Sequence, residues 1–284
     1  MPFCFTGKPI TSRQNRRIVG LCKLSDRGER ERTGLFRFDG VKLFCEAIRR
    51  GVLLTAVFVR AGSAERVRER VKELYGIEIT PELPACPVYA VEDGLFDRIS
   101  DENAPEGVIC VAKTLDKCHK MYTIHNGTGI FDAGSGSAVL LESVRDPVNV
   151  GAIARTAAAL GIGSLILSRD CADIYHPRTL RAAMGTLFSM SVARVDDLTA
   201  AIGELRRRGH RVYAAALDEN AARLGTMRFR ADDCAVIGNE GHGLSPAVIS
   251  ACDGSVYIPM KGGTESLNAS VAAALFMWEL CRGD

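Results

Sequence analysis

The sequence contains no apolar run long enough to cross a lipid bilayer. Its longest apolar stretch, SVAAALFMWELC near the C-terminus, has 12 residues, whereas a membrane-spanning helix needs about 20. The N-terminal stretch MPFCFTGKPITSRQNRR also lacks the apolar core and cleavage site of a secretory signal. These absences predict a cytoplasmic protein without a membrane-spanning segment.

Metal ligands at a useful spacing are missing as well. Ten cysteines and five histidines occur, but no two cysteines form a C-x-x-C pair and none has a histidine at zinc-ligand spacing. Structural zinc sites are built from such pairs. Several cysteines, among them Cys110, Cys234 and Cys281, lie in apolar segments, which is typical of reduced, buried thiols. The sequence therefore predicts no metal site.

Neither of the two common glycine-rich nucleotide loops is present. The segment VIGNEGHGLSP lacks the G-K-[ST] ending of a Walker loop, and no strand is followed by G-x-G-x-x-G. The second strand of the C-terminal half ends in Ser168 and Arg169, without the acidic residue that binds a dinucleotide ribose. These absences exclude a dinucleotide-dependent oxidoreductase.

What the chain does have is an uneven charge. Its 284 residues are 47% hydrophobic and 25% charged, with a net charge of only +2, as expected for one large or two modest globular domains. Residues 1–50 nevertheless carry 12 Lys and Arg against 5 Asp and Glu, a local balance of +7. Such an excess favours phosphate contacts with nucleic acid. The alternative is a solvated surface helix, since SDRGERERTG also contains acids.

Helix and strand patterns alternate in two blocks. The first contains the helical segments GVKLFCEAIRRG and SAERVRERVKELYG and the strand segments TAVFVR, CPVYAV and GVICVAK. In the second, continuous apolar strands between helices indicate a parallel sheet covered on both faces. We therefore predict an α/β protein with a basic arm (1–35), a small α/β domain (36–115), a linker (116–135) and a parallel-sheet domain (136–284).

Three loops in the second block follow strand ends, where ligands bind in open α/β sheets. The first, DPVNVGAIARTAAALGIG, contains Asn149 and places Arg155 in an alanine-rich helix. A guanidinium there needs an anionic partner, which is either a ligand or an internal salt bridge. The second, IGNEGHGLS, places Glu240 between glycines.

The third loop, IPMKGGTESLNASVAAAL, leads into a helix of small residues. Ser266 is a candidate N-cap of that helix. Asn268 and Ser270 are poor helix formers in its first turns, which predicts that their side chains meet a ligand or another chain.

In this order and spacing, the three stretches resemble the three motifs of the SpoU (TrmH-like) RNA ribose methyltransferases of the SPOUT superfamily. The segment GLFRFDGVKLFCEAI is similar to the start of that family's ribosomal-protein-L30e-like RNA-binding module, with Asp39 where the family more often has Glu. The resemblance implies a C-terminal parallel-sheet domain with a deep trefoil knot, preceded by a small α/β L30e-like domain. It also implies a homodimer formed through the C-terminal domain.

The resemblance further implies methylation of an RNA ribose 2′-hydroxyl by S-adenosylmethionine, with 23S ribosomal RNA favoured because relatives with this N-terminal module mostly modify large-subunit RNA. The implied catalytic residues are Asn149, Arg155, Glu240, Ser266 and Asn268. The implied cofactor contacts are Leu217, Gly238, Asn239, Gly241, Ile258, Met260 and Leu267. The predicted RNA contacts are Arg16, Arg17, Lys23, Arg37 and Lys42.

Two alternatives and one mechanistic question stay open. The substrate could be tRNA, or the protein could be a catalytically idle RNA-binding assembly factor, although mere binding would not need the polar residues of all three motifs. Arg155 acts either as the base or as a cationic clamp on phosphate and oxyanion. The clamp is chemically easier, because a guanidinium gives up its proton with great difficulty.

Overall fold

The computed structural model describes residues 3–80, 82–115, 121–124, 136–261 and 266–282. The chain forms two compact units, of which the first is Met1–Cys118 with Tyr175–Phe188 and the second is His119–Ile174 with Ser189–Asp284. Within these described ranges, no helix is both long enough and apolar enough to cross a membrane.

The first unit is a four-stranded mixed sheet covered by helices, with element labels running in chain order through both units. The sheet order is β1-β4-β2-β3, in which only β2 and β3 are parallel. Its strands are β1 (Leu35–Asp39), β2 (Leu54–Arg60), β3 (Val88–Val91) and β4 (Val108–Lys113). Its helices are α1 (Arg16–Lys23), α2 (Arg27–Thr33), α3 (Val41–Arg49), α4 (Ala64–Tyr75), α5 (Asp93–Ile99) and α7 (Pro177–Ala183), with 3-10 turns at Ala61–Ser63 and Thr186–Phe188.

The basic N-terminal segment is folded onto this sheet. The backbone amide of Ile10 donates to the carbonyl of Ala90 (2.8 Å), so the chain runs beside β3. Ile18 and Leu21 of α1 are buried in one apolar cluster with Phe96. The segment predicted as an arm is therefore a packed, helical part of the small unit.

Periodicity located α3 and α4 correctly. Helix α4 ends at Tyr75 because Gly76, with φ 63°, adopts the left-handed conformation of a helix C-terminus. Ser63 directly precedes α4, but its side chain forms no capping hydrogen bond.

Residues 175–188 belong to the second half of the sequence but pack in the core of the first unit. The Tyr175 ring lies 4.7 Å from the Phe36 ring, and its hydroxyl accepts from the Leu115 amide (2.7 Å). The Phe188 ring lies 5.4 Å from that of Phe38. This segment therefore covers the aromatic face of β1.

The second unit is an eight-stranded sheet, ordered β10-β12-β9-β11-β6-β7-β8-β5, in which every neighbouring pair is parallel. Its strands are β5 (Met121–Ile124), β6 (Ala138–Leu141), β7 (Ser164–Ser168), β8 (Ser191–Val195), β9 (Val212–Ala215), β10 (Ala222–Arg223), β11 (Cys234–Ile237) and β12 (Gly254–Tyr257). Its helices are α6 (Pro147–Ala159), α8 (Leu198–Arg207), α9 (Pro246–Ala251) and α10 (Ala269–Cys281). The predicted parallel sheet is confirmed.

The strand order reverses beside β6. From β6 the chain adds β7 and then β8 on one side, whereas β11 is inserted between β6 and β9 on the other. Ligands bind at the carboxyl ends of strands at such a reversal. The trefoil knot stays a prediction, because strand order alone does not define how the chain is threaded.

The predicted linker, residues 116–135, contains β5, which extends the large sheet beside β8. The remainder of that segment lies outside the described residues.

Candidate active site

Helix α6 starts at the carboxyl end of β6 and presents Asn149 in its first turn. The Asp146 carboxylate accepts from the Val148 amide (2.9 Å), and Pro147 occupies the first helical position, which together define the helix start. Asn149 is only 5% exposed. A buried amide side chain of this kind must be hydrogen-bonded.

Three side chains form one hydrogen-bonded series, named here the polar chain: Glu240, Asn149 and Asn268. The Asn149 Nδ2 donates to Glu240 Oε1, and the Asn149 Oδ1 accepts from Asn268 Nδ2 (3.0 Å). Because an ionised carboxylate only accepts, these partners determine which way the Asn149 amide points. Three of the five predicted catalytic residues are thus brought together.

Asn268, and not Ser266, is the N-cap of α10. The Asn268 Oδ1 accepts from the backbone amide (2.9 Å) and the hydroxyl (2.6 Å) of Ser270. Ser266 is exposed and lies two residues before the cap. The N-cap prediction for Ser266 is therefore wrong, and capping explains a poor helix former at 268. Residues 262–265 of this motif lie outside the described residues.

The glycine turn, residues 238–243, holds Glu240 beside Asn149. Its ends are joined by hydrogen bonds from the Asn239 amide to the Gly243 carbonyl (3.1 Å) and from the Gly243 amide to the Asn239 carbonyl (2.9 Å). A Cβ at Gly238 would lie 2.4 Å from the Gly243 carbonyl carbon. Only glycine therefore allows the chain to fold back this closely.

Arg155 lies on another side of α6. It is six residues from Asn149, which places the two side chains about 120° apart around the helix. The Arg155 side chain is exposed, and no ion pair joins its guanidinium to any carboxylate in the described part of the chain. The internal salt bridge considered for Arg155 is thus not formed among these residues.

Two successive parts of the sequence match known protein families. Residues 136–278 match the SpoU rRNA Methylase family, and residues 15–110 match the MRM3-like substrate binding domain. The chain belongs to the SpoU rRNA Methylase family. The three loops around the polar chain lie within the region matched to SpoU.

Some relatives align with this SpoU-family chain over almost their whole length. It is 28% identical to the 23S rRNA (guanosine(2553)-2′-O)-methyltransferase RlmP of Bacillus subtilis, over 96% of this chain and 99% of the relative. It is 29% identical to the 23S rRNA (uridine(2479)-2′-O)-methyltransferase of Streptomyces viridochromogenes, over 96% and 91%. It also resembles the crystal structure of the SpoU methyltransferase AviRb from Streptomyces viridochromogenes in complex with AdoMet, with TM-score 0.77, 25% identity and coverage of 95% and 98%.

The predicted cofactor residues of this SpoU chain lie at the ends of three neighbouring strands. Leu217, Gly238 and Ile258 follow β9, β11 and β12, whose carboxyl ends share one edge of the sheet. Leu217 is 80% exposed and Met260 44%. Exposed apolar side chains of this kind fit the apolar ring faces of an adenosine.

The remaining predicted cofactor residues divide between two loops. Asn239 and Gly241 belong to the glycine turn, where the Asn239 Oδ1 accepts from the Gly241 amide (2.8 Å). Leu267 is half-buried just before α10. Asn239 and Gly241 thus lie beside Gly238 after the carboxyl end of β11, and Leu267 directly precedes Asn268 of the polar chain.

The cations predicted to contact RNA differ sharply in their accessibility. Arg16, Arg17 and Lys23 are exposed on α1, and the Arg17 guanidinium lies 4.6 Å from the centre of the Tyr89 ring. None of the three forms an ion pair within the described ranges. Lys42 is half-buried at the start of α3. The α1 cations are therefore exposed and not neutralised by carboxylates within the described ranges.

The prediction that Arg37 contacts RNA is wrong. Its side chain is 2% exposed, and the guanidinium donates to Asp39 (3.0 Å) and to the Ile99 carbonyl (2.8 Å). Asp101 lies 3.2 Å from its Nε, and burial raises the pKa of that carboxyl. The alternation of LFRFD suggests an outward Arg37, but the residues following α5 cover that face of β1.

Sequence reasoning also missed the residues that support the glycine turn. The Glu142 carboxylate accepts from the Ser245 amide (2.8 Å) and hydroxyl (2.7 Å), while the Ser143 carbonyl accepts from Asn239 Nδ2 (2.9 Å). A signal for these two residues was present in the sequence. The apolar segment AVLLES ends in the polar residues Glu142 and Ser143, at the carboxyl end of a strand, where ligands bind in open α/β sheets.

Proposed function

We propose that this protein transfers a methyl group from S-adenosylmethionine to a ribose 2′-hydroxyl of 23S ribosomal RNA. The observation that carries the proposal is the polar chain of Glu240, Asn149 and Asn268, located where the strand order of a SpoU-family sheet reverses. The substrate is supported by two relatives that align over almost the whole chain and bear 23S rRNA names.

S-adenosylmethionine supplies a methyl group activated by a positively charged sulfur. The residues that would hold it combine apolar side chains with peptide groups at one sheet edge: Leu217, Gly238, Asn239, Gly241, Ile258, Met260 and Leu267. An AdoMet complex of a similar structure, AviRb, supports this cofactor.

The protein's own residues orient the ribose and assist the loss of its proton. Asn149 is fixed at both ends of its amide by Glu240 and Asn268, so the polar chain offers a rigid surface against which the sugar is aligned for in-line transfer. The exposed hydroxyl of Ser266 contributes a further contact to the ribose.

Arg155 acts as a clamp rather than as a base. Its guanidinium is exposed and unpaired within the described ranges, so it is available to bind an RNA phosphate through paired hydrogen bonds. Its positive charge stabilises the oxyanion that develops when the 2′-hydroxyl loses its proton. The hydroxyl proton passes to solvent water, and S-adenosylhomocysteine is the leaving product.

The protein acts as a homodimer through α10. Val271, Leu275 and Trp278 are 48%, 40% and 57% exposed, and their spacing places them on one face of the helix. An accessible apolar stripe of this kind is typical of a protein–protein contact. Action on ribosomal RNA is consistent with a cytoplasmic location.

The test is methyl transfer in vitro with methyl-labelled S-adenosylmethionine and transcripts of 23S rRNA and of tRNA. We expect label in the 23S transcript at one nucleotide that resists alkaline cleavage, because 2′-O-methylation removes the attacking hydroxyl. An Asn149→Ala variant that still binds cofactor is the control for background transfer. Label confined to tRNA would replace the substrate, and RNA binding without cofactor binding would establish the assembly-factor alternative.

A further inference from the structure

Ser143, two residues beyond β6, adopts a backbone conformation that is rare for serine. Its φ is 55°, in the left-handed region that non-glycine residues seldom occupy. Such conformations persist only where the surroundings impose them, and they cluster at functional sites. Ser143 stands at the same sheet edge as the polar chain.

Every polar group of Ser143 is hydrogen-bonded. Its amide donates to Ser168 Oγ (2.9 Å), its hydroxyl donates to Asp170 Oδ2 (2.6 Å), and its carbonyl accepts from Asn239 Nδ2 (2.9 Å). These partners come from the ends of β7 and β11, which flank β6 in the sheet. Ser143 therefore joins three adjacent strand ends.

Asp170 controls two of these three contacts. Its Oδ1 accepts from the Ser168 hydroxyl (2.7 Å), which leaves a lone pair of Ser168 Oγ free for the Ser143 amide. Partial burial opposes ionisation, but the hydrogen bonds from Ser143 and Ser168 hold the pKa of Asp170 below its ordinary value. An ionised Asp170 thus directs both hydroxyl protons toward itself.

The effect reaches the catalytic loop through Asn239. The side-chain nitrogen Nδ2 of Asn239 donates to the Ser143 carbonyl. The Oδ1 of the same side chain accepts from the backbone amides of Gly241 (2.8 Å) and His242 (3.3 Å). Glu240 lies between these anchored positions. Its contact with Asn149 therefore depends on the position of the glycine turn.

We propose that Asp170 is a positioning residue for methyl transfer, which imposes the left-handed conformation of Ser143 and thereby holds the glycine turn with Glu240 against Asn149. This inference rests on the proposed function. The competing explanation is that Asp170 only stabilises the end of β7, with no effect on the turn.

Glycine at position 143 separates the two explanations, because glycine adopts a positive φ without a steric penalty. The variants are Asp170→Ala, Ser143→Ala and the double variant Asp170→Ala/Ser143→Gly. If Asp170 acts by imposing the conformation of Ser143, glycine restores the carbonyl contact to Asn239 without the carboxylate. Asp196→Ala, at the end of the neighbouring β8 and paired with Arg169 (3.7 Å), is the matched control.

We expect Asp170→Ala and Ser143→Ala to lower kcat roughly 10- to 100-fold, the scale of effect of a misplaced reacting group, with the KM for RNA within about twofold of the parent. Amide hydrogen exchange of the peptide covering residues 238–245 should become faster in both. The double variant should recover most of kcat and of the exchange protection, while Asp196→Ala changes neither.

Unchanged exchange of the 238–245 peptide in Asp170→Ala, or a folded double variant without recovery, would overturn the positioning role. If Asp170→Ala does not fold, Asp170→Asn, which keeps a single acceptor oxygen, is measured against Asp170→Asn/Ser143→Gly in the same way. Hydrogen exchange needs no methyl transfer. A parent protein that transfers no methyl group therefore contradicts the proposed function while the exchange data still decide the role of Asp170.

Discussion

Asn149 shows how a single side chain organises the candidate site. Both ends of its amide are occupied, by Glu240 on one side and Asn268 on the other, and the side chain is buried. Each partner comes from a different loop, so the three sequence motifs are connected at one residue. The polar chain thus connects the three motifs, and the proposed function assigns substrate contact to Arg155 and Ser266, which are more accessible.

Arg155→Ala should strongly slow methyl transfer without unfolding the protein. We expect kcat to fall roughly 10²- to 10³-fold, as for the loss of one oxyanion-stabilising donor, because the exposed guanidinium has no ion-pair partner in the described ranges to lose. Single-turnover transfer and a thermal melt measure the two effects. Arg155→Lys, which keeps the charge but not the planar fork, should lie between. A clear drop in melting temperature would instead indicate a structural ion pair.

Gly238→Ala should distort the glycine turn, whereas Gly241→Ala should not. A Cβ at position 238 would lie 2.4 Å and 2.5 Å from backbone atoms of Gly243, while one at position 241 meets only the Asn239 side chain at 3.4 Å. We expect a lower melting temperature and loss of cofactor binding in calorimetry for the first. For the second we expect an unchanged melting temperature. Equal stability of both variants would contradict the close approach at Gly238.

At the residue scale, the polar residues of the candidate site could be predicted from the sequence, but the burial of individual side chains could not. Asn149, Glu240 and Asn268 could be named together because the three motifs that contain them resemble those of the SpoU family. Arg37 was misassigned because the residues that enclose it, Asp39 and Asp101, lie in two different segments. Only tertiary contacts between those segments turn an apparently exposed cation into a buried one.

Helices α1 and α2 are both rich in arginine but have different electrostatic roles. In α2, Arg27 is paired with Glu31 (2.8 Å) and Arg32 with Glu29 (2.7 Å) along the helix. Helix α1 has no acidic residue, and its cations remain without ion pairs within the described ranges. The α2 arginines are thus paired with acids along the helix surface, as in the alternative interpretation, whereas contact of α1 with nucleic acid stays a prediction.

Replacing the three α1 cations by alanine should weaken RNA binding and flatten its salt dependence. Loss of three phosphate contacts should reduce the slope of log K against log salt by about 2 for single-stranded RNA. Filter binding across a salt series measures it. The variant set is Arg16→Ala, Arg17→Ala and Lys23→Ala. The control set removes three arginines with carboxylate partners in their own helices: Arg27→Ala, Arg32→Ala and Arg68→Ala. Equal slopes for the two sets would remove α1 from the RNA-binding surface.

At the scale of elements, regular periodicity was readable and short strands were not. Helices α3 and α4 have clear apolar stripes, whereas the sequence of β8, SVARV, gives little signal because it is short and contains Arg194. The Arg194 guanidinium donates to the Cys171 carbonyl (3.3 Å), so its charge is accommodated beside the sheet. Strand β5 was likewise hidden in a segment with little periodicity.

Trp278→Glu should convert a dimer into a monomer. The carboxylate would stand at the C-terminal end of the apolar stripe of α10, where burial of an unpaired charge in the dimer contact is costly. Light scattering after size-exclusion chromatography should give the mass of two chains for the parent and of one chain for the variant. Leu74→Glu, on α4 and 60% exposed, is the control. A monomeric parent would refute the proposed assembly.

The arrangement of the whole molecule was only partly predictable. Continuous apolar strands between helices indicate a parallel sheet, and eight parallel strands are found. The insertion of β11 between β6 and β9 could not be predicted, because local periodicity does not determine which strands become neighbours. The packing of residues 175–188 in the first unit could not be predicted either, because their sequence does not indicate which residues they contact.

The inclusion of residues 175–188 in the first unit limits how relatives could exchange their substrate-binding modules. The first unit contains Met1–Cys118 and Tyr175–Phe188, so a chimaera joined at a single crossover after position 118 would inherit Phe36 from one parent and Tyr175 from the other. A faithful graft requires three crossovers, at 118/119, 174/175 and 188/189. Recombination within this family is therefore expected to preserve the pairing of a module with its own counterpart of residues 175–188, and the two should co-vary between lineages.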